Sequence, residues 1–133
     1  MKLDIYTDGA YSNKRKQGGW SYIILYNNKI IHKDFKGVKN TTNNRMEILA
    51  VLEALKYIRR FNYTSVTVYS DSMYVIGTLT MGWSKNKNID LWTFFDYLDL
   101  NGIEFVHVKG HSNNIYNDLC DTLAVIGSQV KIT

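Results

Sequence analysis

Polar and apolar residues alternate at the start of the chain, which is the period of a β-strand. Residues 2–8 follow this pattern, and the pair Asp8-Gly9 then favours a turn that would end the strand. Residues 19–26 and 29–36 are rich in aromatic and β-branched side chains, and Asn27-Asn28 between them suits the positive φ angles of a tight hairpin. We therefore expect an antiparallel meander of three strands.

The hydrophobic period changes to that of a helix over residues 44–60, where apolar side chains recur every three or four positions: Ile48, Val51, Leu52, Leu55 and Ile58. A strand, two helices, a strand and a short helix are predicted to follow, at residues 65–70, from 71 onward, and at 89–98, 103–108 and 117–126. A strand after a long helix most readily lies parallel to an earlier strand. The pattern predicts a single α/β domain over residues 1–133: a mixed five-stranded sheet, an antiparallel meander plus parallel strands, flanked by helices.

Composition narrows the class of protein. A single Cys rules out an intramolecular disulfide framework, and no apolar run approaches the ~20 residues of a membrane-spanning helix. The polar, strand-like N-terminus is unlike a signal peptide, so we expect a cytoplasmic protein. The net charge of +4 and the basic runs at residues 14–16 and at Lys85 and Lys87 fit a polyanionic partner, although a solvated loop is the commoner explanation of such runs.

Two predicted strands finish alike, as IYTDG at residues 5–9 and VYSDS at residues 68–72. If these strands are parallel neighbours, Asp8 and Asp71 lie at one edge of the sheet, where two carboxylates repel unless a cation lies between them. Hard oxygen ligands favour Mg²⁺ or Mn²⁺. Taken singly, each Asp has a simpler explanation, because Asp8-Gly9 is an ordinary turn sequence and Asp71 is a good helix N-cap.

Two further acids lie on predicted helices. Glu47 is near the start of the first helix, where it could instead be the reach-back acid of a cap at Asn44. Asp121 is on the last helix, where a surface acid is the simpler interpretation. His111 lies in the loop sequence VKGHSNN, and a lone loop His is more often an ordinary surface residue than a catalyst.

An ordered set of motifs resembles type 1 ribonuclease H. The motifs span nearly the whole chain: YTDG at 6–9, TTNNRMEILA at 41–50, YSDSMYV at 69–75, NIDLW at 88–92, and VKGH at 108–111 followed by CDTLA at 120–124. Short motifs such as TDG are weak alone. The long TTNNRME block, with DS and KGH downstream, is highly specific to this family.

The resemblance implies a ribonuclease H-like fold and an endonuclease that hydrolyses the RNA strand of RNA–DNA hybrids with little sequence preference, giving 5′-phosphate and 3′-hydroxyl ends. It assigns two Mg²⁺ or Mn²⁺ ions to four acids, Asp8, Glu47, Asp71 and Asp121, with Asp118 a nearby competitor for the last place. Two ions about 4 Å apart can clamp an in-line displacement. His111 resembles the family's mobile His, which assists proton transfer or product release.

Further side chains match family positions that contact the hybrid: Thr42, Asn43, Asn44, Met73, Trp83 and Asn88. The resemblance places the two amides and Met73 in the minor groove, and Thr42 with Asn88 in a pocket for a DNA phosphate. Trp83 would pack on a DNA sugar, with burial in the core as the alternative. Arg45 could hold the loop or a phosphate, and the sequence does not separate these two roles.

The chain departs from some relatives in its basic segments. Only residues 84–87 stand where those relatives carry a long basic protrusion. Affinity for the hybrid would then be weaker, or the basic run at residues 14–16 would compensate. A monomer is the default expectation for a chain of this size.

Overall fold

The computed structural model describes residues 1–110 and 113–132. One mixed sheet has the strand order β3-β2-β1-β4-β5, formed by β1 (Lys2–Ser12), β2 (Gln17–Tyr26), β3 (Lys29–Lys39), β4 (Ser65–Ser70) and β5 (Ile103–His107). The first three strands pair antiparallel, whereas β4 is parallel to both β1 and β5. The predicted α/β fold with a meander and parallel strands is therefore confirmed.

Helices cover both faces of this sheet: α1 (Asn43–Ile58), α2 (Met73–Thr80), α3 (Ile89–Phe95) and α4 (Ile115–Gln129). Alternate residues of β1 point to opposite faces. Leu3 and Ile5 join the core beneath α1, α2 and α3, whereas Tyr6 joins a smaller core with Cys120 of α4. Within the described residues, no helix is both long and apolar enough to span a membrane.

The turn between β2 and β3 forms as its two Asn residues predict. Asn27 and Asn28 have φ angles of 51° and 61°. Asn tolerates this left-handed region because its short polar side chain can bond locally, and the twist of such a turn matches that of the strands.

The predicted end of β1 at Asp8-Gly9 is wrong. Both residues continue the strand, pairing with Ser21 and Trp20 of β2, and β1 ends only at Ser12. Glycine is required at position 9 for packing: an added Cβ would lie 2.5 Å from the backbone nitrogen of Glu47. A residue that signals a turn locally thus serves here as the contact point between β1 and α1.

The predicted helix starts also need correction. Thr42 caps α1, its hydroxyl accepting from the backbone N–H of Arg45 at 3.2 Å, so the cap is not at Asn44. Ser72, not Asp71, caps α2 in the same way. Because neither Glu47 nor Asp71 serves in a cap, both simpler explanations of these acids are excluded. Smaller differences of up to three residues affect the ends of β2, β3, α1, α3, β5 and α4.

Candidate active site

The site lies where the parallel pairing of β1 and β4 stops. Thr7 pairs with Ser70 in the last register of this ladder, so the next residues, Asp8 and Asp71, stand side by side. Glu47 joins them from the second turn of α1. One carboxylate oxygen from each of these three acids lies within 4.8 Å of the other two.

Close approach of α1 to β1 positions Glu47 in this cluster. The backbone of Met46 and Glu47 packs directly on Gly9, where an added Cβ would lie 2.6 Å from the Met46 carbonyl carbon. The same glycine donates its N–H to Oδ1 of Asp8 at 2.8 Å, which fixes one oxygen of that carboxylate. Gly9 therefore orients Asp8 and admits Glu47 to the same space.

The carboxylates are buried and incompletely bonded. Asp8 is 3% exposed and Glu47 is 7% exposed. Among the described residues, Oδ2 of Asp8 and Oε1 of Glu47 have no hydrogen-bond partner. Burial, together with the charge of Asp71, raises the pKa of Asp8 to about 8. Burial and the charge of Asp8 raise the pKa of Glu47 well above its ordinary value.

This donor set fits a hard divalent cation. Two oxygens on opposite sides of a Mg²⁺ ion lie about 4.2 Å apart, so oxygens up to 4.8 Å apart need only small movements to share one. A cation would also bond the two oxygens that the described residues leave without a partner. The cluster can therefore hold such an ion without rearranging the fold.

Asp121 lies beside this group on α4. It is half-buried, and it makes a small contribution to the raised pKa of Asp8. Asp118 is exposed in the first turn of the helix. Among the described residues, the group of acids with oxygens within 4.8 Å of one another contains Asp8, Glu47 and Asp71 but not Asp121, so the metal-binding role of Asp121 stays a prediction.

Contacts between α4 and the sheet set the position of Asp121. The hydroxyl of Ser21 donates to the carbonyl of Cys120 at 2.5 Å, and the Cys120 thiol lies 3.5 Å from the carbonyl of Tyr6. An added Cβ at Gly19 would lie 2.2 Å from the carbonyl oxygen of Ala124, so the missing side chain lets α4 approach β2. Asp121 follows Cys120 directly and is therefore held at the level of Asp8.

His111 lies outside the described residues. Its predicted role stays a prediction from the sequence. Gly110 is described, and an added Cβ there would lie 3.3 Å from Oδ2 of Asp71.

The predicted hybrid contacts gather at the start of α1 and near α3. Thr42, Asn43 and Asn44 are exposed at the helix N-terminus. Asn88 has a φ of 58°; its amide donates to the hydroxyl of Tyr74 at 3.1 Å, and its oxygen accepts from Nη1 of Arg45 at 3.3 Å. The backbone of Arg45 also bonds Thr42, so this Arg connects the two predicted members of the phosphate pocket.

Trp83 and Met73 are both exposed on the α2 side. The Trp83 indole packs on Gly77, where an added Cβ would lie 2.4 Å from the ring, yet 44% of the residue is exposed. The alternative of core burial is therefore excluded for this Trp. Met73 is the first residue of α2 and is 37% exposed.

Sequence reasoning missed three residues near the site. Asp90 forms a two-point ion pair with Arg45, and Tyr74 bonds both Asn88 and the indole N–H of Trp92. His107 places Nε2 3.2 Å from the backbone oxygen of Asp71. Of these three residues, only Asp90 could have been found from the sequence, because it lies inside the NIDLW motif.

Comparison with known proteins agrees with this geometry. A family model described as RNase H matches residues 1–129. The chain belongs to the RNase H family. This membership confirms the assignment made from the motifs, and the chain is an enzyme of the ribonuclease H type.

Relatives match this chain over most of its length. A Ribonuclease H of Caldicellulosiruptor saccharolyticus is 41% identical and covers 90% of this chain and 91% of its own length. A Ribonuclease H of Treponema denticola is 38% identical, with 97% and 98% covered. The crystal structure of LC11-RNase H1 in complex with RNA/DNA hybrid has the same fold: its TM-score is 0.76 at 20% identity, with 93% of this chain and 97% of that chain covered.

Proposed function

We propose that this enzyme hydrolyses the RNA strand of RNA–DNA hybrids, largely independently of sequence, giving 5′-phosphate and 3′-hydroxyl ends. The observation that carries the proposal is the acid cluster of buried Asp8, buried Glu47 and partly buried Asp71, with two carboxylate oxygens that lack a partner among the described residues. Family membership and the hybrid bound by LC11-RNase H1 support the choice of substrate.

The proposed cofactor is a pair of Mg²⁺ ions, with Mn²⁺ as a substitute, held by Asp8, Glu47, Asp71 and Asp121. Bound divalent ions supply an activated water and stabilise the leaving oxygen in phosphodiester hydrolysis. The acids' own task is to offer several oxygens at a fixed spacing, and burial makes their charges expensive unless a cation neutralises them. Gly9 contributes by fixing one oxygen of Asp8.

Discrimination of RNA from DNA falls to Glu47 in this proposal. A carboxylate can accept a hydrogen bond from a ribose 2′-hydroxyl, a group that DNA lacks. Glu47 is 7% exposed and is held by the backbone contact of α1 with Gly9, so its orientation is restricted. A restricted acceptor favours one geometry of the scissile nucleotide.

The proposed hybrid surface extends from the acids across the start of α1. Asn43 and Asn44 are exposed there and can donate and accept without requiring one base. Thr42 and Asn88 are proposed to bind a DNA phosphate, supported by their common link to Arg45 and by the free N–H groups of a helix start. Met73 and Trp83 offer exposed apolar surface to the groove and to a sugar.

Other parts of the proposal come from the sequence alone. His111 is proposed to assist proton transfer or product release. Residues 1–133 are proposed to act as one catalytic domain, as a monomer in the cytoplasm. The single Cys suits a reducing compartment.

The test is to incubate the protein with labelled RNA–DNA hybrid, duplex DNA, duplex RNA and branched DNA, each with Mg²⁺, Mn²⁺ or EDTA. We expect cleavage of the RNA strand in the hybrid, with metal, and products that carry 5′-phosphates. Hybrid binding without cleavage would instead indicate a binding module. Cleavage of branched DNA would indicate a junction nuclease of the same fold.

A further inference from the structure

The β1–β2 hairpin extends well beyond the acid cluster. Asp8 pairs with Ser21, and the ladder continues to the pair of Ser12 with Gln17. Four residues at ~3.3 Å each carry the hairpin ~13 Å past Asp8. Residues 13–16, here named the basic turn, form its tip with the sequence Asn-Lys-Arg-Lys.

The basic turn is ordered by its own backbone. Lys16 donates its N–H to the carbonyl of Ser12 at 2.8 Å, and Arg15 donates its N–H to the Ser12 hydroxyl at 3.1 Å. All of its residues are exposed. The ion pairs of the described residues are Arg45 with Asp90 and Lys56 with Glu53, so the three cations of the turn have no acidic partner there.

The surroundings of the turn are basic as well. Gly18 packs against Thr41 and Met46, which joins the hairpin to the start of α1. The two segments that meet here, residues 9–20 and 36–46, contain no Asp or Glu, and their cations are Lys14, Arg15, Lys16, Lys36 and Lys39, besides Arg45, which is paired with Asp90. The first turn of α1 also has no acid, so the positive end of the helix dipole adds to the positive electrostatic potential around the basic turn.

We propose that the basic turn binds backbone phosphates of the hybrid on one side of the cut. This inference rests on the proposed function and names the surface that anchors its substrate. A carboxylate cluster repels a polyanion, and a fixed positive region nearby offsets that repulsion. Phosphates of one strand are spaced ~3.4 Å apart along a duplex axis, so ~13 Å corresponds to about four nucleotides from the scissile bond.

The test variant removes the three charges and keeps the turn: Lys14→Gln, Arg15→Gln and Lys16→Asn. Asn is used at position 16 because φ is 55° there. The control variant, Lys2→Gln, Lys29→Gln and Arg59→Gln, makes the same change of charge at exposed positions at the opposite end of β1, β3 and α1. Melting temperatures of both variants check that the fold is kept.

Binding is measured on an Asp71→Asn background, so that the labelled hybrid stays intact in Mg²⁺. The slope of log K against log salt concentration should become shallower by about 2 to 3 in the basic-turn variant, whereas the control should change it by less than about 1. With Asp71 restored, KM should rise about tenfold or more, with kcat within about twofold. Equal slopes in the two variants would overturn the proposal.

Shortened hybrids test the position of the contact. When the duplex is trimmed to fewer than about four base pairs on one side of the cut, the basic-turn variant and the control should show the same salt-dependence slope. Trimming the other side should leave the two slopes different. A difference that survives both truncations would also overturn the proposal. A wild-type enzyme that cleaves no hybrid refutes the proposed function, whereas normal cleavage with equal slopes refutes only the role of the turn.

Discussion

Arg45 and Asp90 lie on different helices, and their side chains meet at two points, with Nη1–Oδ1 at 3.0 Å and Nη2–Oδ2 at 2.7 Å. Nη1 also bonds the side-chain oxygen of Asn88. The guanidinium therefore ties α1 to the start of α3. It keeps Thr42 and Asn88, the two proposed ligands of a DNA phosphate, in a fixed relation.

This ion pair should be visible in an acid titration. Hydrogen bonding to Arg45 lowers the pKa of Asp90 from 3.8 to about 2. The stabilisation from the pair is present above pH 3.8 and is lost as the pH falls through about 2. In the Arg45→Gln variant the pKa of Asp90 should return towards 3.8, as measured by NMR of the side-chain carboxyl. An unchanged pKa would mean that the pair does not persist in solution.

Asp71→Asn should nearly abolish hybrid cleavage and leave hybrid binding largely intact. The substitution removes one negative ligand from the cluster without changing its size, so the shape of the site is kept. Cleavage assays and binding titrations in Mg²⁺ measure the two effects separately. Asp99→Asn, at an exposed position, is the control and should retain full activity. An active Asp71→Asn enzyme would show that the ligands have been misassigned.

The metal-free protein should lose stability as the pH rises. The pKa of Asp8 is raised from 3.8 to about 8. The stabilisation that the protonated carboxyl gives to the folded state is therefore fully present below pH 3.8 and is lost as the pH rises through about 8. Urea unfolding in EDTA at about pH 5 and about pH 9 measures this loss. In the Asp8→Asn variant, the loss of unfolding free energy between these two pH values should be smaller by on the order of 1 kcal/mol. Adding Mg²⁺ should also make this loss smaller in the wild type. Identical pH dependence in the wild type and the variant would contradict the prediction.

Gly9→Ala should destabilise the fold and impair catalysis together. The new Cβ would meet the backbone of α1 at 2.5 and 2.6 Å, and backbone cannot move aside as a flexible side chain can. We expect a loss of about 1–3 kcal/mol in the free energy of unfolding, measured with urea. Gly82→Asn is the control, because position 82 has open space and Asn tolerates its φ of 68°. Comparable losses in both variants would rule out the contact as the cause.

Much of the site followed from the sequence because parallel strands convert similar endings into neighbouring positions. The YTD and YSD sequences needed only the β1–β4 register to bring Asp8 and Asp71 together. Helical periodicity likewise placed Glu47 on the first helix. In these cases a local pattern and one topological rule were sufficient.

Other features depended on contacts between distant segments. Glycine after Asp is typical of a turn, but α1 packs on Gly9 and β2 pairs with it, so the strand continues. The run Thr41 to Asn44 offers four acceptable caps, and local sequence does not choose Thr42 among them. The pairing of Arg45 with Asp90 joins two helices, and neither residue alone predicts its partner.

The only cysteine of the chain is enclosed between α4 and the sheet, next to Asp121. Cys120 is 0% exposed, and burial raises the pKa of its thiol well above the ordinary value. A maleimide or other thiol-labelling reagent can reach the sulfur only when the helix lifts away. The rate of labelling of the unmodified enzyme therefore reports, without any engineered probe, how often the α4 side of the candidate active site opens.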